Sequence, residues 1–144
     1  MAIEKADLKA LAIDFFKSVH GGVEDEATVG AHFVDPARAQ LVAPDGSHFT
    51  ITSHRELHRR FLDEKHVLGD FELVQISSAP ERARAKGWVY FEARYKDAPE
   101  RGLLKSIVGE EYILERGEDG KVRFIQYNST FFATLPDSAE FNIG

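Results

Sequence analysis

The apolar positions change period part-way along the chain. Over Asp7–His20, Leu8, Leu11, Ala12, Phe15 and Val19 recur at the three- and four-residue steps of one helical face, and Gly21-Gly22 follow as a helix-ending pair. A second, shorter helix is predicted over Glu24–Phe33, with Val29, His32 and Phe33 as its apolar stripe. Its acidic start (Glu24, Asp25, Glu26) suits the positive end of a helix dipole, and Asp35-Pro36 ends it. Ala39–Ala43 and His48–Thr52 flank the turn sequence Pro44-Asp45-Gly46-Ser47, which predicts a hairpin. A third helix is predicted over Ser53–His66, with Ser53 and Glu56 at capping-box spacing. On it His54, Leu57, His58, Phe61, Leu62 and Lys65 share one arc, so a face expected to be plain core carries two imidazoles.

From Gly69 onward the period becomes two. Strands are predicted over Phe71–Ser77, Ala83–Tyr95, Leu103–Glu115 and Val122–Phe132, joined by short turns at Pro80, Asp97-Ala98-Pro99 and Glu118-Asp119-Gly120. That is an antiparallel meander. Two strands are about twice the usual length of five or six residues. Each carries an interior glycine, Gly87 or Gly109, where a bulge can bend the sheet. The expected fold class is therefore α+β: a curved antiparallel sheet forming a cone closed by three helices from the N-terminal half.

Alternation sorts the strand residues into two faces. Val89, Phe91, Ala93, Val108, Glu110, Tyr112, Leu114, Val122, Phe124, Gln126 and Asn128 are assigned to the concave, helix-covered side. Trp88, Tyr90, Glu92, Arg94, Ile107, Glu111, Ile113, Glu115, Arg123, Ile125, Tyr127 and Phe131 fall outside. The outer set mixes large aromatics with charges, which suits a homodimer interface anchored by Trp88, Tyr90, Ile125 and Tyr127. A bulge at Gly109 would exchange Glu110 and Glu111, so that pair stays open. Residues 1–134 are read as one domain and Leu135–Gly144 as a C-terminal arm or partly disordered tail.

Composition narrows the function classes. The 144 residues are 43% hydrophobic with eleven Phe, enough for a real core. There is no Cys, which removes disulfides, thiolate catalysis and Cys-ligated metal. No secretory pattern or membrane-length apolar run occurs, so a cytoplasmic protein without membrane contact is expected. The formal charge of −6 argues against nucleic acid, and the one basic run, Arg82-Ala83-Arg84-Ala85-Lys86, alternates as on the solvent side of a strand. No phosphate loop or nucleophile elbow is present.

The candidate chemistry lies in histidines and a few inward polar groups. His58, His32 and His54 point to the apolar side of their helices, either as proton-transfer or ligand groups or as hydrogen-bonded core residues. His20, His48 and His66 read as surface or turn residues. His54 and His58 have the i, i+4 spacing of a helical metal pair, but no third ligand follows from spacing and no metal is expected. Glu110, Tyr112, Gln126 and Asn128 sit among apolar neighbours, the mixture that a ligand cavity needs. A buried Glu110 would have a raised pKa and could act as general acid or base; alternatively it faces solvent after a bulge, with Gln126 and Asn128 bonded to backbone. Asp35, before Pro36, reads as a turn residue.

The order helix–helix–hairpin–helix–long meander resembles the nuclear transport factor 2-like superfamily, which includes SnoaL-like cyclases, ketosteroid isomerase, scytalone dehydratase and limonene epoxide hydrolase. The local text is similar too: Phe15-Phe16 before Gly21-Gly22, then Val29…His32-Phe33-Val34-Asp35, Pro44-Asp45-Gly46, Leu57…Phe61-Leu62 and Val122…Gln126-Tyr127…Phe131-Phe132. The resemblance implies a cone around an apolar cavity, commonly dimeric, used by enzymes, small-molecule binders and protein-association domains. It does not carry over the isomerase chemistry. The general-base Asp of that enzyme falls near Leu41, its oxyanion-hole Tyr near Phe15 and its second oxyanion Asp near Tyr112. Relatives of the scytalone dehydratase type use cavity histidines as proton shuttles, and His32 and His58 fall at cavity-side positions. The expected function is thus binding of a small apolar organic ligand, with or without cofactor-independent isomerisation, dehydration, cyclisation or hydrolysis. His58, Glu110 and Tyr112 would be catalytic. His32, His54, Gln126, Asn128, Phe15, Leu41, Phe91 and Phe124 would line the site. The alternative is a non-catalytic association domain acting through the outer sheet face.

Overall fold

A computed structural model describes residues 2–141. Three α-helices accompany a six-stranded sheet, in the order α1 (Lys5–Val19), α2 (Glu26–Gly30), β1 (Leu41–Val42), β2 (His48–Phe49), α3 (Ile51–His58), β3 (Phe61–Ser78), β4 (Glu81–Tyr95), β5 (Leu103–Arg116) and β6 (Val122–Thr134). The strand order is β2-β1-β6-β5-β4-β3. All neighbours are antiparallel except β1, which runs parallel to β6 with Leu41 opposite Tyr127. The curved, mixed α+β architecture expected from the sequence is present.

The helices start where side chains satisfy their first amides. Glu4 and Asp7 form a reciprocal box at α1, and Asp25 accepts from the Thr28 amide at α2. The box at α3 is Thr50 with Ser53, three residues earlier than Ser53–Glu56. The far end of α3 differs more. It stops at His58, and Phe61–His66 is strand instead of helix. The segment Phe61–Leu68 can satisfy a helical period, but pairing with the end of β4 (Phe61 opposite Tyr95, His66 opposite Phe91) overrides it. Of the arc predicted to face inward, Leu62 and Lys65 are exposed.

Both interior glycines sit opposite bulges in a neighbouring strand. β4 and β5 pair without a break from Arg82–Glu115 to Arg94–Leu103. The extra residues lie in β3, around Gly69-Asp70 facing Gly87, and in β6, at Thr130 facing Gly109. A Cβ on Gly87 would stand 2.2 Å from the Asp70 carbonyl oxygen. These bends give the concave face on which α1 lays Leu8, Leu11, Ala12, Phe15 and Val19 against Val89, Tyr112, Leu114 and Phe124.

The arm after β6 docks on the domain up to Phe141. The Leu135 and Ala139 amides donate to the Lys105 and Leu103 carbonyls, Tyr95 donates to the Glu140 carbonyl, and the Phe132 and Phe141 rings lie 4.4 Å apart. The rest of the predicted arm, 142–144, lies outside the described residues.

Candidate functional site

Between α3, the β1–β2 hairpin and the concave sheet face lies a cavity of about 360 Å³. Leu41, Phe49, Leu57, Phe61, Val89, Phe91, Val108, Phe132 and Phe141 supply an apolar wall. Two polar groups interrupt it, besides the exposed Asp45 and Ser47 of the β1–β2 turn. His54, His58 and His66 form one, and Glu110, Tyr127 and Ser129 the other. Among the described residues, the lining contains no Lys or Arg.

The histidine group is assembled by α3, the first part of β3 and the turn after α1. His58 Nδ1 contacts a carboxylate oxygen of Glu64, and the other oxygen of Glu64 accepts from the Gly21 amide. His58 Nε2 lies 3.3 Å from His54 Nε2, while the buried Nδ1 of His54 has no hydrogen-bond partner. His66 stacks on Phe16 at 4.4 Å, and its Nδ1 lies 2.9 Å from Nε2 of His20 at the end of α1. Burial pushes the pKa of His54 and His66 well down and that of His58 to about 3. The same burial raises Glu64 to about 7, against the Gly21 amide bond and the charge of His20, which lower it. Each group is thus driven toward its uncharged form.

Glu110 is the centre of the second group. Only 3% exposed, it accepts hydrogen bonds from Tyr127 (2.7 Å) and Ser129 (2.8 Å). Burial outweighs both bonds and raises its pKa to about 8. A carboxylic acid at neutral pH can donate a proton or hydrogen bond to a ligand oxygen.

The chain as a whole is similar to solved structures over nearly its full length. A hexachlorocyclohexane dehydrochlorinase, LinA-type3, from Novosphingobium barchaimii aligns at 16% identity with a TM-score of 0.67, covering 96% of this chain and 94% of that one. A ketosteroid isomerase-like protein from Erwinia carotovora atroseptica aligns at 17% identity and TM-score 0.60, covering 90% and 95%. An uncharacterised protein with a cystatin-like fold from Caulobacter vibrioides aligns at 16% identity and TM-score 0.63, covering 92% and 90%. The fold they share is a curved, unclosed α+β sheet with helices on its concave side, described as cystatin-like for the last of these structures. No protein-family model and no curated protein matches the sequence. At these identities the likeness concerns the fold of the chain.

Within this fold, the predicted site residues divide. His58, Glu110, His54, Leu41 and Phe91 do line the cavity. The Glu110/Glu111 ambiguity resolves to Glu110, because the bulge sits in β6 and leaves β5 alternating. Phe15, Phe124 and Tyr112 do not reach the cavity wall; they are packed in the core, with the Tyr112 ring 4.8 Å from that of Tyr127. His32 packs edge-on against Phe15 at 5.7 Å, its Nδ1 2.9 Å from the Val29 carbonyl oxygen of its own turn. Gln126 and Asn128 lie on the outer face, opposite Ile113 and Glu111. The reason is the bulge in β6 at Ile125, which reverses the alternation of the residues that follow until a second bulge at Thr130 restores it. Tyr127 and Ser129 therefore point inward, and Tyr127 is lost as an outer-face anchor.

The prediction missed Glu64, His66, Tyr127 and Ser129. Ending the third helix at His58 would have exposed the first two, since strand alternation from Phe61 aims His66 toward the face of Phe61 once one residue is bulged. Asp63, with φ of 53°, marks that bulge. His54 and His58 also share the spacing of a metal pair, and among the described residues no third donor joins them.

Proposed function

We propose that the cavity binds an uncharged, largely apolar organic molecule bearing a hydrogen-bonding oxygen, and that the His58–Glu64 pair exchanges a proton with it without a cofactor. The carrying observation is His58 in the wall of an apolar cavity with the Glu64 carboxyl behind it on Nδ1, opposite in chemistry to the protonated Glu110. A base and a neutral acid in one water-poor space are what enolisation, dehydration or elimination require. The dehydrochlorinase and the isomerase-like protein named above are built on the same fold, which supports a proton-transfer reaction of this kind. Tyr127 and Ser129 position Glu110 by their hydrogen bonds, in a site where Tyr112 was expected as a catalytic group and Asn128 as a lining one.

The ligand's charge follows from the lining. An anion would meet no Lys or Arg, the Asp45 carboxylate in the turn, and three imidazoles held neutral by burial, so its desolvation would go uncompensated. The two polar groups also stand apart. Glu110 pairs with Gly87, and Phe91, which packs on His58 and His66, lies four residues along β4, about 13 Å at strand rise. A bicyclic skeleton suits that separation better than a single ring.

Calorimetric titration with 2-acetylnaphthalene, 2-naphthoate and 2-naphthylmethylamine tests this. The ketone is expected to bind at least about tenfold more tightly than either ion. Glu110→Leu should weaken ketone binding by about tenfold or more, and Glu110→Gln, which still donates, should preserve it. Failure of all three to bind contradicts the cavity assignment. Preference for the anion or the amine contradicts the charge assignment.

A second reading concerns the opposite side of the sheet. Trp88 is 40% and Phe131 49% exposed there, both beside Gly109, with Ile125 six residues back along β6 at 38%. The aromatic pair lies over Gly69 and Gly109, whose missing Cβ atoms leave room for the rings. This strip, without Tyr127 and with Tyr90 hydrogen-bonded to Glu92, is the surface through which two copies would associate.

A further inference from the structure

The hydrogen-bond chain Glu64–His58–His54 ends on an atom with no partner, His54 Nδ1. Two arrangements satisfy every other atom of the chain. In the first, Glu64 is ionised and accepts from His58 Nδ1–H, His58 Nε2 accepts from His54 Nε2–H, and His54 Nδ1 carries a bare lone pair. In the second, Glu64 holds a proton and donates it to His58 Nδ1, His58 donates from Nε2 to His54 Nε2, and His54 Nδ1 carries a hydrogen. The two differ by one proton, and both imidazoles are neutral in each.

We propose that protons enter and leave the site at His54 Nδ1, are handed on through His58, and are stored on Glu64. Uptake breaks the substrate's bond to hydrogen and forms N–H at His54 Nδ1. The hydrogen on His54 Nε2 passes to His58 Nε2, and that on His58 Nδ1 passes to Glu64. The electron pair of the broken bond stays with the substrate. Its use in turnover rests on the proton-transfer reading above. The relay itself does not.

Burial is the physical reason for a relay in place of a charged base. An imidazolium in this wall is heavily penalised, as the downward shifts of His54 and His58 show, whereas Glu64 titrates at about 7. Storing the proton on Glu64 neutralises a buried carboxylate and creates no buried cation. The Gly21 amide donates to Glu64 in both states and keeps it in place. The titratable groups facing the chain are His20 from the end of α1 and His66 from β3. From β4 it meets uncharged Phe91. On α3, Arg55 is engaged with Glu24 and Glu26, and Arg59 with the Gly22 carbonyl.

Long-range ¹⁵N–¹H spectra of the histidines in the ligand-free protein, recorded from acid to alkaline pH, test the relay. His54 Nδ1 is expected to change from pyrrole-type to pyridine-type at a pH near 7. His58 should exchange tautomers at the same midpoint, and neither ring should become doubly protonated on the way. Glu64→Gln should hold both rings in one tautomer across the range. If that variant fails to fold, the wild-type side-chain carboxyl ¹³C resonance of Glu64 decides, since it must share the histidine midpoint. Separate midpoints, an imidazolium at His54, or a switch that survives Glu64→Gln would overturn the proposal. No ligand enters the measurement, so its failure leaves the cavity assignment to the calorimetric test.

Discussion

The two polar groups of the cavity solve the same problem with different materials. Each hides a carboxyl group in an apolar wall, and each must supply it with hydrogen bonds or lose folding free energy. The histidine group is local in sequence: His54, His58, Glu64 and His66 fall within one helix end and the start of the next strand, and the turn at Gly21-Gly22 closes it. The Glu110 group is long-range. It joins the middle of β5 to β6, and it exists because the bulge at Ile125 turns Tyr127 and Ser129 to the inner face. Buried polar chemistry can thus be held by a tight backbone turn or by strand register.

The largest expected contrast is at the glycines that support the two groups. Gly22 has φ of 63°, and a Cβ there would lie 2.4 Å from the Arg55 carbonyl oxygen, a backbone atom of α3. Gly22→Ala should cost about 2–4 kcal/mol in urea unfolding. At Gly109 an added Cβ meets the edge of the Phe131 ring, an exposed side chain that can swing away. Gly109→Ala should cost about 1 kcal/mol or less. Equal losses would show that both groups depend on backbone closure.

A smaller contrast is expected in the pH dependence of stability. Glu110 is raised from 4.5 to about 8 on folding, so the folded state holds a proton that the unfolded chain releases. Its stabilisation is complete below pH 4.5 and is lost as pH rises through about 8, by up to about 1.4 kcal/mol per pH unit. The depressed imidazoles act in the opposite direction. Their contribution is complete above pH 6.5 and is lost as pH falls below it, where the unfolded histidines take up protons. In urea unfolding from pH 4 to 9, Glu110→Gln should flatten the alkaline limb alone, and His66→Phe should make the acid limb shallower. A variant that alters the opposite limb would show that the two groups are coupled.

The outer face provides the smallest effect on folding. Trp88→Glu should leave monomer stability within about 0.5 kcal/mol, because the ring is only partly covered. In light scattering it should halve the mass of a dimeric wild type. A monomeric wild type would contradict the interface.

Legibility followed the same division between local and long-range causes. The apolar stripe of α1, the hairpin turn and the two faces of β4 and β5 were readable, since the stripe and the faces depend on unbroken periodicity and the turn on its own residues. His58 was recognisable as an inward imidazole from its helical neighbours alone. Its partner Glu64 was not, because the chain changes from helix to strand between them, and the Phe61–Leu68 pattern fits both. Gln126 and Asn128 were exchanged for Tyr127 and Ser129 for another reason. A single inserted residue leaves the hydrophobic count unchanged while turning over every side chain beyond it.

The sequence by itself determined the helical and strand periods, the curved α+β class, the glycine positions and the presence of inward His58 and Glu110. Those features arise from neighbours a few residues apart. Tertiary structure alone decided where α3 ends, where β6 bulges, and which hydrogen-bonding groups meet Glu64 and Glu110. These depend on pairing between strands distant in sequence. There the free energy of burying a face and satisfying its polar atoms outweighs local preference.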